Sequence, residues 1–191
     1  RGQAPLSTAS HGPAEASPWV QRWSHLVPAG GAVLDVACGT GRHMRWFHAR
    51  NHAVTGVDIA QAAIDSVAPL GEAVLADIEQ GPWPFTGRQF DAVVVTHYLW
   101  RPLLPTIVAS VAPGGVLIYE TFAAGNETVG KPSRPDFLLR PGELLGVCQG
   151  LRVVAPDLIG FGKSDKPVAR SAHSFEAQVG WIRQWIEALD L

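Results

Sequence analysis

The stretch "VLDVACGTGRH", from Val33 to His43, decides the fold expected of this chain. It opens with an apolar run around an aspartate, which is typical of a strand buried on both faces of a sheet. Gly39 and Gly41 follow and predict a tight turn into a helix, because glycine takes positive φ without a Cβ clash. The N–H groups at a helix start favour a negative ligand group. The stretch therefore predicts a strand–turn–helix unit that binds a nucleotide-like cofactor.

Short apolar runs and helical patterns alternate along the rest of the chain. Six runs rich in Val, Ile or Leu are predicted as strands: Ala32–Ala37, Ala53–Val57, Glu72–Ala76, Asp91–Thr96, Gly115–Glu120 and Leu151–Ala155. Helical patterns cover about residues 41–50, 60–68 and 102–111, and a short helix is predicted from Pro18. This alternation predicts an α/β fold with a Rossmann-like, doubly wound, mostly parallel sheet and helices on both faces.

Length and composition bound the class of protein. The 191 residues suffice for one domain with a core, and 47% hydrophobic with 17% charged residues is a globular balance. A net charge of -2 provides no broad basic field, so neither nucleic acid nor a membrane surface is expected as a partner. Cys38 and Cys148 form no disulfide framework and no metal pattern. Reduced thiols and a cytoplasmic location are therefore expected, and the oligomeric state is left open.

An acidic residue at the second predicted strand strengthens the cofactor interpretation. Asp58 directly follows that strand, and a carboxylate there accepts hydrogen bonds from both hydroxyls of a ribose. A dinucleotide fits poorly, because its fingerprint needs a third glycine where this chain has Met44. A P-loop is excluded because no Gly-Lys-Ser/Thr follows the glycines. A purely structural turn remains the alternative.

Two further stretches place polar side chains at strand ends. "LADIE" puts Asp77 and Ile78 after the third strand, where the carboxylate accepts from an exocyclic amine and its neighbour packs on a base. "FDAVVVTHYLW" ends the fourth strand near Thr96, His97 and Tyr98. Since ligands bind at the carboxyl ends of parallel strands, these side chains are expected around one site.

Together these motifs, from Val33 to Glu120, resemble the class I S-adenosylmethionine-dependent methyltransferases. The resemblance implies S-adenosyl-L-methionine as the cofactor and methyl transfer to a small-molecule acceptor. It implies that the loop after the first strand faces the methionine part, Asp58 the ribose, and Asp77 with Ile78 the adenine. The implied cofactor-binding set is Asp35, Ala37, Cys38, Gly39, Thr40, Gly41, Asp58, Ile59, Asp77, Ile78 and Thr96. Ala37 departs from the family, which more often has glycine there.

The implied chemistry asks little of the protein. The sulfonium is already activated, so in-line positioning supplies much of the rate, and a base is needed only for a protonated acceptor. His97 is the candidate base and Tyr98 the candidate partner of the acceptor; the alternatives are a loop contact for His97 and a pocket cap for Tyr98. His43 could be mistaken for a metal ligand together with His48 and His52, which lie four residues apart. No carboxylate or cysteine completes the set, so no metal site is expected.

The last forty or so residues follow another pattern. "RVVAPDLIGFGKSDKP", residues 152–167, resembles α/β-hydrolases and most of all haloalkane dehalogenases. No G-x-S-x-G or G-x-D-x-G is present, so hydrolase activity is not expected. Three segments are predicted: a flexible arm (1–17), an S-adenosylmethionine-binding methyltransferase domain (18–155), and a hydrolase-like loop with an amphipathic helix (156–191). A cofactor-binding module without turnover, caused by this altered C-terminus, is the alternative function.

Overall fold

A computed structural model describes residues 15–128 and 130–151. The chain divides into two compact units, Arg1–Arg140 and Pro141–Leu191. Most of the predicted arm, the sixth predicted strand beyond Leu151 and the predicted helix over 174–189 lie outside the described residues. The predicted segment boundaries at residues 17 and 155 therefore stay predictions.

The first unit is built on a five-stranded sheet in which every neighbouring pair runs parallel. The spatial order is β3-β2-β1-β4-β5. The strands are β1 (Ala32–Val36), β2 (Ala53–Asp58), β3 (Glu72–Leu75), β4 (Phe90–Thr96) and β5 (Val111–Glu120). This arrangement confirms the predicted doubly wound α/β fold.

The central strands β1 and β4 are buried because both of their faces are covered. Ala92 to Val95 of β4 are fully buried, and Val33, Leu34 and Val36 of β1 are 1% exposed or less. Two-sided burial requires continuous apolar runs rather than alternation, which is the pattern the sequence has at both strands. The neighbours pair in register, with Val33 opposite Ala92.

Helices cover the sheet and begin close to the predicted positions. In the first unit they are α1 (Pro18–Trp23), α2 (Arg42–His48), α3 (Gln61–Val67) and α4 (Leu104–Ala109). The second unit contains α5 (Glu143–Val147), which the sequence did not predict. Short 3₁₀ turns occupy Ser24–Leu26, Arg101–Leu103, Asn126–Thr128 and Pro135–Phe137. Helix α2 buries His43, Met44 and Phe47, the positions of one helical face. None of the helices among residues 15–128 and 130–151 is long and apolar enough to cross a membrane.

Strand β5 starts earlier than the sequence predicts. The sequence predicts this strand over Gly115–Glu120, but β5 already begins at Val111 and includes the Pro-Gly-Gly segment, Pro113 to Gly115. The register with β4 shifts between Phe90 and Ala92, which is the mark of a bulge. A Cβ on Gly115 would lie 2.9 Å from the Asp91 carbonyl oxygen, so glycine permits the close approach of the two strands here.

Candidate functional site

The strand order reverses between β1 and β4, and this reversal locates a crevice at the carboxyl edge of the sheet. From β1 the chain moves outward to β2 and β3, then returns to β4 on the other side of β1. The loops that follow these two strands therefore diverge, and open α/β sheets bind ligands at such a point. Residues 37–41 follow β1, and Thr96 ends β4.

The loop after β1 is a tight turn held by backbone hydrogen bonds. The Cys38 N–H donates to the Val57 carbonyl at 3.0 Å, and the Gly41 N–H donates to the Cys38 carbonyl at 2.9 Å. Ala37, Gly39 and Gly41 take positive φ angles of 54°, 51° and 80°. A Cβ built on Gly39 would meet nothing within 4 Å, so this part of the loop borders open space. The turn thus presents backbone to the crevice, as its two glycines predict.

Asp58 fixes this loop against the end of β2. One carboxylate oxygen accepts from the Gly39 N–H at 2.9 Å, and the other accepts from the Ala60 N–H at 2.9 Å. The two amides orient the carboxylate at the crevice while its remaining lone pairs stay available to a ligand. Ile59, the next residue, is 67% exposed although it is apolar. Asp58 thus offers acceptors for the hydroxyl groups of a ligand, and Ile59 offers an exposed apolar surface beside them.

The end of β3 carries the two residues expected at the adenine. Asp77 accepts from the Glu79 and Gln80 N–H groups through one oxygen, at 3.0 and 2.9 Å, which fixes its orientation. Ile78 is only 9% exposed and packs in the hydrophobic core. Ile59 therefore offers more apolar surface to a flat ligand than Ile78 does.

A buried polar cluster lies beneath the crevice. Asp35 and His43 are each 2% exposed. The Ser17 N–H donates to His43 Nε2 at 3.3 Å, which assigns the imidazole proton to Nδ1. Nδ1 lies 3.5 Å from Thr96 Oγ1 and 3.9 Å from Asp35 Oδ2. The sequence interpretation considered His43 only as a metal ligand and missed this role.

Burial controls the ionisation of this cluster. It raises the pKa of Asp35 to about 7, against the opposing effect of Arg42, and it lowers the pKa of His43 to about 4. His43 is therefore neutral at pH 7, and its contact with Asp35 is no ion pair. Asp35 Oδ2 is buried and has no hydrogen-bond partner among the described residues. An orphaned acceptor of this kind is costly unless a ligand satisfies it.

Ser17 ties the first helix to the end of the sheet. Its hydroxyl accepts from the Val20 N–H at 3.2 Å, which caps α1, and it donates to the Glu120 carboxylate at the end of β5. The signal that could have revealed the cap is Ser17 directly before Pro18, since proline favours the first helical position. The contact with Glu120 had no signal in the local sequence.

The two predicted catalytic residues contact different parts of the site. His97 is exposed, takes a φ of 54°, donates its N–H to the Glu120 carbonyl at 2.8 Å and stacks on Phe122 at 5.3 Å. Tyr98 is half-buried; burial raises the pKa of its phenol, and the Glu79 carboxylate adds to that rise. His97 thus borders the crevice on the β5 side, whereas the Tyr98 phenol lies towards the loop after β3.

The geometry gives little support to nucleophilic catalysis by cysteine or to a metal site. Burial raises the pKa of the Cys38 thiol to about 12, so this thiol is not a nucleophile at neutral pH. Within the described ranges no three His, Cys, Asp or Glu side chains converge as a metal site.

One region of the chain matches a family of known proteins. Residues 33–115 match the family described as "Methyltransferase domain". This region holds the loop after β1, Asp58, Asp77 and Thr96. The region that holds these candidate site residues therefore matches a methyltransferase domain. The resemblance to S-adenosylmethionine-dependent methyltransferases that the sequence indicated is confirmed for this region, and so is the predicted cofactor.

Similar solved structures agree with the fold. A methyltransferase from Archaeoglobus fulgidus, described as dependent on S-adenosylmethionine, matches with a TM-score of 0.60 at 18% identity, over 90% of this chain and 84% of its own. A TehB-like S-adenosylmethionine-dependent methyltransferase from Corynebacterium glutamicum matches with a TM-score of 0.53 at 22% identity, over 69% of this chain and 70% of its own. At these identities the likeness establishes the architecture.

Curated relatives match parts of the chain. Malonyl-[acyl-carrier protein] O-methyltransferase of Serratia marcescens is 35% identical over 106 residues, or 51% of this chain. The chain spans 40% of the length of that relative. Haloalkane dehalogenase 1 of Mycobacterium tuberculosis is 52% identical over 42 residues, which are 22% of this chain and 14% of the dehalogenase. The expected hydrolase-like stretch is thus supported by a short match only.

Proposed function

We propose that this chain is an S-adenosylmethionine-dependent methyltransferase that transfers a methyl group to a small-molecule acceptor. The observation that carries the proposal is the link between Gly39 and Asp58, 2.9 Å from amide to carboxylate, with the exposed Ile59 alongside. This link brings together three features at the point where the strand order reverses: a tight turn with accessible backbone, a carboxylate of fixed orientation, and an exposed apolar side chain. A nucleoside with a charged tail needs these three features together.

The residues present fit such a cofactor. The loop 37–41 would hold the methionine part, Asp58 the ribose hydroxyls, and Ile59 with Asp77 the adenine. Asp35, with its unpartnered buried oxygen, would accept from the amino group. When bound, S-adenosylmethionine supplies an activated methyl group. The task left to the protein is to orient the acceptor and to exclude water.

We assign the acceptor side to the crevice between β4 and β5. His97 and Glu120 border it, and His97 can remove a proton from an acceptor that holds one at neutral pH. The left-handed backbone of His97 supports this role, because strain of this kind concentrates at functional sites. The proposed role of Tyr98 is to line the pocket and contact the acceptor. No nucleic acid is proposed as an acceptor, and the cytoplasm is the proposed location.

Thermal unfolding of the full chain with S-adenosylmethionine, S-adenosylhomocysteine or NAD tests the cofactor. Ligand at a hundred times its Kd adds about 2.7 kcal/mol, a rise of roughly 5–10 °C in Tm for a domain of this size. We expect this rise with the two sulfur compounds and not with NAD. The rise should disappear in Asp58→Ala and persist in Asp65→Ala, a matched change of an exposed aspartate on α3. A rise with NAD, or an equal rise in both variants, would contradict the assignment.

A cofactor-binding module without turnover is the second candidate. The short match to haloalkane dehalogenases favours it, because a foreign C-terminal stretch replaces family sequence that could contribute to the acceptor side. Formation of S-adenosylhomocysteine on a panel of hydroxyl, amine and carboxylate acceptors separates the two candidates. Turnover that His97→Ala reduces supports the enzyme, whereas tight binding with no turnover on any acceptor supports the module.

A further inference from the structure

Helix α2 and the turn that follows it carry three arginines that line one cleft of the first unit. Arg42, Arg45 and Arg50 border a cavity of about 380 Å³, together with Trp46 of the same helix and with Glu15 and Gln21 from the segment around α1. This concentration of positive charge contrasts with the net charge of the whole chain, which is -2. The lining of the cleft is therefore positively charged, although the whole chain is negatively charged.

These arginines are held in place by neutral groups, and Arg42 also lies close enough to the buried Asp35 to oppose the rise of its pKa. Each guanidinium is held by a neutral oxygen: Arg42 by Thr96 Oγ1 at 3.4 Å, Arg45 by the Thr40 carbonyl, and Arg50 by the Trp46 carbonyl at 2.9 Å. None of the three forms an ion pair with a described residue. These contacts orient the guanidinium groups and leave their charge and further N–H donors for a ligand.

The surroundings of the cleft supply little negative charge. Among the described residues that line it, Glu15 is the one carboxylate, against three arginines. Residues 1–14, which precede it in the sequence, contain no aspartate or glutamate. The positive charge is also partly screened from water, since Arg42 and Arg45 are half-buried. Partial burial strengthens the attraction for an anion relative to a fully exposed cluster.

The geometry of the guanidinium groups indicates the class of ligand. Arginine presents a rigid fork of N–H donors that matches the oxygens of a phosphate or carboxylate. Arg50 is fixed further by stacking over the Trp46 ring at 3.1 Å, so its fork is preorganised. Three cations facing one carboxylate suit a dianion rather than a monoanion. We propose that the cleft between α1 and α2 is a binding site for a phosphate monoester group, distinct from the cofactor crevice.

The position of the cleft couples it to the crevice without merging the two. Arg45 holds the outer side of the loop after β1 through the Thr40 carbonyl, and Arg42 reaches Thr96 at the end of β4. A phosphorylated ligand seated on Arg45 and Arg50 lies against the outer wall of that loop. This placement suits an acceptor that carries a phosphate at a distance from its reacting atom.

Calorimetric titration of the full chain with inorganic phosphate, at constant ionic strength, tests the site. We expect one phosphate per chain, and a loss of about tenfold or more in affinity in Arg45→Gln/Arg50→Gln. The control is Arg88→Gln/Arg134→Gln, which changes the net charge equally at exposed arginines paired with Glu72 and Asp136. The control should bind phosphate as the unchanged chain does, and Arg45→Lys/Arg50→Lys should recover part of the affinity.

Three results would overturn the proposal. Absence of phosphate binding in the folded chain is one, and an equal loss in both double variants, which marks a general charge effect, is another. The third is competition between phosphate and S-adenosylhomocysteine, since that would place the anion in the cofactor crevice. Phosphate binding that persists beside saturating S-adenosylhomocysteine supports a separate site. Binding of phosphate without any cofactor binding would support this site while contradicting the proposed methyltransferase function.

Discussion

At the scale of single residues, the loop after β1 combines an alanine and two glycines in the same left-handed backbone region. Ala37 takes a φ of 54°, close to the 51° of Gly39. For a residue with a Cβ this conformation costs roughly 1–2 kcal/mol. The family resemblance already indicated glycine at position 37, and the backbone gives the physical reason for that preference. The chain therefore holds local strain within the loop after β1.

Replacing this alanine tests whether the strain is real. Ala37→Gly relieves the left-handed penalty and adds about 0.4–1 kcal/mol of unfolded-state entropy, so we expect a net stabilisation of up to about 1 kcal/mol. Chemical denaturation measures it. Ala62→Gly, at an exposed position of α3, should instead destabilise by about 0.5–1 kcal/mol. Equal destabilisation by both changes would show that Ala37 is unstrained.

The two glycines of the loop should respond differently to an added methyl group. A Cβ on Gly41 would lie 2.3 Å from Val67 Cγ1, so Gly41→Ala combines overpacking with a strained φ, and we expect a loss of about 2–5 kcal/mol. Gly39 faces open space, so Gly39→Ala should cost only about 1–2 kcal/mol. Its methyl group occupies the proposed cofactor cradle, however, and should weaken S-adenosylhomocysteine binding by about tenfold or more. Denaturation and calorimetry on both variants check the contrast; undiminished binding by Gly39→Ala would remove Gly39 from the cradle.

At the scale of elements, α1 depends on one hydroxyl for both its cap and its attachment. Ser17→Ala removes the cap on the Val20 N–H and the bond to Glu120, so we expect a loss of about 1–2 kcal/mol. Ser66→Ala is the control, since that exposed hydroxyl bonds only the Ala63 carbonyl of its own helix, and it should change stability by less than about 0.5 kcal/mol. Thermal denaturation compares them, and equal effects would contradict the double role of Ser17.

The elements show which features a sequence reveals and which it hides. Strands β1 to β4 were predicted within a residue or two. For β1, β2 and β4 the reason is that burial on both faces leaves continuous apolar runs, whereas β3 is only partly buried. The start of β5 was misjudged because Pro113 to Gly115 has the composition of a turn; the bulge depends on how closely the Asp91 backbone approaches, which is a tertiary contact. The site follows the same division: Asp58 could be placed at a strand end, whereas the contact between Ser17 and His43 joins residues 26 positions apart through packing alone.

At the scale of the whole molecule, two buried groups make stability depend on pH in opposite directions. The pKa of Asp35 rises from 3.8 to about 7 in the fold, so the native state holds a proton that the unfolded chain has lost, and its contribution to stability falls as pH rises from about 4 to 7. The pKa of His43 falls from 6.5 to about 4, so its contribution is lost as pH falls through the same range. In the unchanged chain the two contributions offset each other.

Single variants should separate these contributions. Asp35→Asn removes the contribution to stability that falls as pH rises. The stability of this variant should therefore increase between pH 4 and 7 more steeply than that of the unchanged chain. His43→Gln removes the rising contribution, so stability should decrease over the same interval. Denaturant titrations at four pH values measure both slopes relative to the unchanged chain. Identical slopes in all three proteins would mean that neither group is shifted by burial.

For the proposed cofactor, we expect the raised pKa of Asp35 and its unpartnered Oδ2 to make binding of the amino group depend on pH. An ammonium group arriving beside Asp35 Oδ2 stabilises the ionised carboxylate and lowers its pKa from about 7, so capture below neutral pH expels the proton into the solvent. The observed heat of binding then includes the ionisation heat of whichever buffer receives that proton. Binding also becomes tighter as the solution becomes more alkaline, up to neutrality. Ligand binding at the crevice is thus coupled to loss of a proton, and its affinity falls as the solution becomes more acidic.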